Sequence, residues 1–145
     1  AGYGDSVNPE KAGNLRAASA EEALIAYLVR NPDEAGRISA ILPPEKFVTA
    51  FNRRVYERIM GRMKEEKPVS LSDFAEDFSL DEVSSIARIF AKFEGVSAGR
   101  SDAEEYIGVI QQENEKRELG DAASAAPEKI EDYLQTLRQQ KQQTK

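Results

Sequence analysis

From Leu24 to Leu137 the large apolar residues recur every three or four positions, and nowhere does the chain alternate apolar with polar as a half-buried strand would. That period restricts the chain to helices that each bury one face. The stretch Phe51 to Met63 is the clearest case: Phe51, Val55, Tyr56, Ile59, Met60 and Met63 share one side, while Arg53, Arg54, Glu57 and Arg58 occupy the other. It is the expected central helix of an all-α bundle.

The punctuation agrees with this reading. Ser19 with Glu22, Ser79 with Glu82 and Ser101 with Glu104 have capping-box spacing, in which hydroxyl and carboxylate each satisfy a free N–H of a helix's first turn. The first of these helices would bury Leu24, Ile25, Leu28 and Val29. Asn31-Pro32 then opens a second helix with Ala35, Ile38, Ile41 and Leu42 inward. Pro43-Pro44 must stop it, because neither proline can donate a hydrogen bond. Thr49 and Asn52 are the two candidate caps of the central helix, Thr49 being preferred. After Pro68, the residues Leu71, Phe74, Ala75 and Phe78 describe a two-turn helix. A longer one carries Val83, Ile86, Ala87, Phe90 and Phe93 and is expected to end in a left-handed turn at Gly95.

Tyr106, Ile107 and Ile110 pin the next helix to the core, and there the apolar stripe stops. Gln111 to Glu118 favours helix by propensity but offers nothing to bury, as expected of a helix bridging through solvent. Gly120 to Pro127 is expected to break it. A last segment from Glu128 to about Gln140 regains a stripe in Ile130, Tyr133, Leu134 and Leu137. The resulting division is a flexible linker or cloning remnant over 1–18, a helical bundle over 19–110, and an extended helix with a C-terminal helical hairpin and polar tail over 111–145.

With no cysteine and no histidine, the 145 residues exclude disulfide scaffolds, zinc fingers, thiol catalysis and histidine acid–base chemistry. No metal or other cofactor is expected. The net charge of −6 argues against strong direct nucleic-acid binding and against attraction to anionic lipid. No apolar run is long enough for a bilayer and no signal-peptide pattern is present, so a cytoplasmic protein is expected.

Three features invite a functional reading. Arg54, Arg58 and Arg62 form a like-charged ridge, which is either a solvated face balanced by neighbouring acids or a contact for an anionic partner. The pairs Glu21-Glu22, Asp33-Glu34 and Asp81-Glu82, with the Asp102–Glu105 group, fall in predicted first turns, where the helix dipole explains them without catalysis. The terminal stripe Ile130, Tyr133, Leu134 and Leu137, followed by Arg138, is either a helix folded back on the core or one that docks into a partner's groove.

The run Glu21 to Phe78 resembles the helical domain shared by the C-terminus of bacterial DNA primase and the N-terminus of the replicative helicase that primase binds. The residues that carry the resemblance are Glu21 and Leu24, Asn31-Pro32, Leu42-Pro43-Pro44-Glu45-Lys46-Phe47, Asn52-Arg53-Arg54-Val55-Tyr56 and Glu66-Lys67-Pro68-Val69. Because the chain ends after a helical appendage instead of running on to a phosphate-binding loop, the primase domain is the expected identity. The resemblance implies a non-catalytic segment of a DNA-directed RNA polymerase. Its partner would be the N-terminal domains of the hexameric replicative DNA helicase, and it would recruit primase to the fork and modulate both activities.

Carried onto this sequence, that assigns helicase docking to Ile130, Tyr133, Leu134, Leu137 and Arg138, and a modulatory surface to Arg53, Arg54 and Arg58. Two alternatives stand beside it. One is the helicase N-terminal domain itself, which would self-associate, and the other is a helical nucleic-acid-binding module using the arginine ridge. For the primase domain, self-association would be weak.

Overall fold

A computed structural model describes residues 6–125 and 134–139. Among them there is no strand. Five helices carry the fold: α1 (Leu15–Arg30), α2 (Ala35–Ile41), α3 (Ala50–Lys64), α4 (Leu80–Lys92) and α5 (Arg100–Ala125). Four 3₁₀ turns, at Pro9–Lys11, Pro32–Glu34, Pro44–Lys46 and Leu71–Phe74, connect or precede them, and a helical segment at 134–139 follows.

The structure centres the bundle on α1, not on the α3 helix that the periodicity singles out, since α1 packs against α3, α4 and α5 together. Its alanines make this possible. Ala17, Ala18, Ala20, Ala23 and Ala26 are all buried, so neighbouring helices approach from several sides while Leu24, Ile25 and Leu28 fill the interior. On α3, Phe51, Val55, Tyr56 and Ile59 are buried as the periodicity requires. The Tyr56 ring stacks on Phe47 at 4.3 Å between centroids, and its hydroxyl donates to the Leu42 carbonyl at 2.7 Å. That single side chain ties α3 to the Pro43-Pro44 corner. Phe74 and Phe78 meet edge to face at 5.5 Å and close the bottom of the core with Ile86 and Ile89 of α4.

Several local expectations are corrected. The chain is structured well before Ser19: Asn8 is buried and α1 begins at Leu15, so Ser19 lies inside the helix instead of capping it. The linker expected over 1–18 is therefore part of the packed structure from the Pro9–Lys11 turn onward. Leu71 to Phe74 forms a 3₁₀ turn under a Ser70–Asp73 capping box, not a two-turn helix. At α5 the box moves two residues earlier, with the Asp102 carboxylate accepting from the Gly99 N–H at 2.8 Å. The left-handed residue is Glu66, at φ 58°, where Lys67 N donates back to the Arg62 carbonyl and finishes α3. Gly95 needs no such conformation, because α4 ends at Lys92 and closes through short bonds from Glu94 N to Ala91 O and Val96 N to Phe93 O.

The largest correction concerns α5. It runs unbroken past Gly120 to Ala125, and it stays on the bundle past Ile110 through polar contacts. Asn114 is 2 % exposed, Arg117 donates to the carbonyls of Phe47 and Val48 at 3.5 and 3.1 Å, and Arg16 of α1 reaches Glu113 at 2.9 Å. The polar face that the sequence predicts to be solvated instead has hydrogen bonds to other parts of the chain.

Candidate interaction surfaces and the buried acid

The terminal stripe lies partly outside the described residues, as Ile130 and Tyr133 do. Leu134 and Leu137 are half-buried and Arg138 is exposed. Leu137 and Thr136 border a groove of about 300 Å³ with Ile41 and Lys46 on one side and Gln111, Asn114, Glu115 and Glu118 of α5 on the other. The segment therefore sits beside α5, with Leu137 lining the same groove as the exposed Ile41 side chain and the polar face of the long helix.

The arginine ridge is engaged within the chain. Arg54 binds Glu82 at 2.7 Å and the Asp77 carbonyl at 3.1 Å, and its guanidinium stands 4.5 Å over the Phe78 ring. Arg58 donates to the Asp73 carbonyl and lies 3.5 Å from the Asp77 carboxylate. Arg62 pairs with Asp73 at 3.0 Å, and Arg53 donates to the Phe47 carbonyl at 2.8 Å. The backbone N–H of Ser70, followed by the two guanidinium charges, holds the Asp73 carboxyl below its ordinary range. Three of these arginines, Arg54, Arg58 and Arg62, thus fasten the segment between Pro68 and Glu82 to α3, while Arg53 holds the turn that precedes the helix.

One functional-looking group escaped the sequence reading. Glu21 is fully buried, and its carboxylate accepts from the backbone N–H groups of Val48 and Thr49, the Thr49 hydroxyl at 2.7 Å and the Asn52 amide at 3.1 Å. The start of α3 is therefore capped from another helix. Burial pushes the Glu21 carboxyl up, against the downward pull of those four hydrogen bonds. Glu10 adds the next cap, accepting from Ala50 N at 2.7 Å, and the Asn8 amide donates to Thr49 Oγ1 at 3.2 Å. A signal for this existed: Glu21 lies three and four positions before Leu24 and Ile25, on the buried stripe itself. Reading it as a first-turn acid depended on starting α1 at Ser19.

Glu34 is a second hub. It joins Tyr27 at 3.3 Å, Arg37 at 2.8 Å and Arg100 at 3.0 Å, so that α1, α2 and the start of α5 share one carboxylate. Hydrogen bonds from Arg100, then Arg37, lower its pKa to about 2. Asp81-Glu82 behaves as the sequence suggested, Glu82 completing the Ser79 capping box. Among the described residues no cluster of three or more carboxylates could hold a metal ion, and no helix is long and apolar enough to cross a membrane. Among the described residues the arrangement is a helical bundle with a terminal helical segment beside α5.

A family model described as the DnaB-like helicase N-terminal domain matches residues 14–112. Comparison with curated proteins and with solved structures gives no match.

Proposed function

Since the chain belongs to the DnaB-like helicase N-terminal domain family, it is a helicase-associated helical domain, and we propose that it joins bacterial DNA primase to the replicative helicase. In this reading it is the non-catalytic C-terminal part of the primase. The observation that supports the proposal is the terminal helical segment at 134–139, whose Thr136 and Leu137 line a groove beside the second half of the 26-residue α5. Leu134, Leu137 and Arg138, with Ile130 and Tyr133 on the same helical stripe, would supply the apolar anchors and the charged rim of a docking face.

The domain would act by tethering. Held on the ring, the polymerase part of the parent protein works at raised effective concentration near the fork, and a contact of modest area permits exchange between priming events. Arg54 and Arg58 would modulate activity through the packing of the segment from Asp73 to Glu82 on α3, and Arg53 through the turn before α3, where its guanidinium holds the Phe47 carbonyl. The test is calorimetric titration of this chain against the hexameric replicative helicase of the same organism, with Tyr133→Ala and Leu137→Asp alongside. Saturable binding that both variants lose while remaining helical by circular dichroism supports the proposal. No binding by the folded wild type overturns it.

The description of the matching family favours a second reading, in which this is the N-terminal domain of the helicase itself. It would then associate with copies of itself. A sedimentation series over concentration separates the two, because a helicase N-terminal domain oligomerises without an added partner and a primase domain needs one.

A further inference from the structure

Two consecutive peptide planes lead into α3, one between Phe47 and Val48 and one between Val48 and Thr49, and each is gripped from opposite sides. In a trans peptide the N–H and the C=O point in opposite directions from one rigid plane. Here both N–H groups, of Val48 and Thr49, donate to the Glu21 carboxylate, while both carbonyls, of Phe47 and Val48, accept from Arg117 at 3.5 and 3.1 Å. Glu21 belongs to α1 and Arg117 to the far half of α5.

Each grip continues toward one end of the chain. On the N–H side, the Thr49 hydroxyl donates to Glu21 at 2.7 Å and accepts from the Asn8 amide at 3.2 Å, and the next N–H, of Ala50, donates to Glu10 at 2.7 Å. A strap, Asn8 to Lys11, is thereby fastened to the start of α3. On the carbonyl side, Arg117 also holds Asn114, and Lys46 pairs with Glu118 at 3.8 Å. Lys46, Asn114 and Glu118 border the groove that Leu137 lines.

Phe47, Val48 and Thr49 are at most 1 % exposed, so water does not take over a bond that is lost there. A hydrogen bond weakens steeply as its angle departs from linear, and a plane that turns to follow one partner swings its other end away from the second. The two grips are therefore not independent. Arg53 steadies the first plane by donating to the Phe47 carbonyl at 2.8 Å, which leaves the Val48–Thr49 plane the freer of the two.

We propose that this pair of planes couples the strap to the far half of α5. Loosening of residues 8–11 turns the planes, misaligns Arg117 and releases the helix beyond residue 110, and a pull on the strap thereby lowers the affinity of the docking face for its helicase partner. Only the effect on docking rests on the helicase reading above.

Glu10→Ala and Asn8→Ala, made in the full chain, test the coupling by amide hydrogen exchange. Glu10 is exposed, so its truncation leaves the core intact. Each variant should speed exchange at residues 113–121 by about threefold or more, as a coupling between neighbouring sites of ordinary size would, with the amides of Ile86, Ile107 and Ile110 unchanged. In Arg117→Ala, where the link is already cut, adding Glu10→Ala should give no further acceleration there. Unchanged exchange beyond residue 113 in both strap variants, acceleration spread evenly over the core, or an undiminished effect of Glu10→Ala in the Arg117→Ala background overturns the proposal. Calorimetry with the hexameric helicase reads the effect on docking, and Glu10→Ala should bind about threefold or more weakly than the wild type. Equal affinity overturns that effect, whereas a wild type that does not bind overturns the docking reading and leaves the exchange result standing.

Discussion

On the first half of α5, Ala103, Ile107 and Ile110 press into the core and are at most 4 % exposed. On the second half, Asn114 is as deeply buried, yet the Pro44–Val48 corner is met by hydrogen bonds from Arg117, whose Nη2 donates to Asn114 Oδ1 at 2.6 Å. Both halves are docked, by different means. Apolar contact grows with area and tolerates small shifts, whereas the polar contact depends on particular atoms facing one another. The same contrast recurs at α3, where Tyr56 and Ile59 hold one end by packing and Glu21 holds the other by four hydrogen bonds.

Breaking the apolar half should cost most. Ile110→Ala removes a fully buried side chain and should lower the unfolding free energy by roughly 2–5 kcal/mol, read from the urea midpoint. If the loss were below about 1 kcal/mol, packing would not be what anchors α5.

The polar cap of α3 comes next. Glu21→Ala strands two buried backbone N–H groups and should cost about 2–3 kcal/mol. It also sharpens the comparison through pH. A folded-state pKa raised above 4.5 means the native state holds the Glu21 proton more tightly, so its contribution falls as pH climbs through 4.5 and toward the raised value. Glu34 has the opposite sign: with its pKa lowered from 4.5 to about 2, its contribution is present above 4.5 and is lost as pH falls toward 2. Denaturant midpoints collected from pH 2 to 7 should therefore lose part of their fall toward pH 2 in Glu34→Gln and lose the decline above pH 4.5 in Glu21→Gln.

Arg117→Ala should cost about 1–2 kcal/mol, since it leaves the Val48 carbonyl and Asn114 Oδ1 unmatched. Hydrogen exchange should show the effect confined to the helix beyond residue 110, with the first half still protected. Loss of protection throughout α5 would mean that the two halves act as one unit. The smallest effect belongs to Arg16→Ala, since Arg16 is itself exposed where it pairs with Glu113: under about 1 kcal/mol, and vanishing in high salt.

The apolar half of each comparison was legible in the sequence, and the polar half was not. Ile107 and Ile110 announce themselves by period, as do Phe51, Val55, Tyr56 and Ile59, because water rejects these side chains whatever they pack against. Asn114, Arg117 and Arg53 carry no such sign, since water and a protein carbonyl satisfy a donor about equally well. The arginine ridge shows the same ambiguity. Its spacing pointed to either a solvated face or a partner, and Asp73, Asp77 and Glu82 come beside it only once the chain has turned at Pro68.

Helix content, the breaks at Pro32, Pro43-Pro44 and Pro68, and the inward residues of α3 and α4, with those of α2 apart from the exposed Ile41, follow from the amino-acid order, because backbone sterics and apolar period act over a few residues. The tertiary structure alone decided that Glu21 caps a helix 27 positions away, that the turn before α1 belongs to the fold, and that α5 stays on the bundle beyond its apolar stripe. Those are pairings of donors with acceptors across the chain. Their energy depends on which atoms meet, and the chain settles that only by folding.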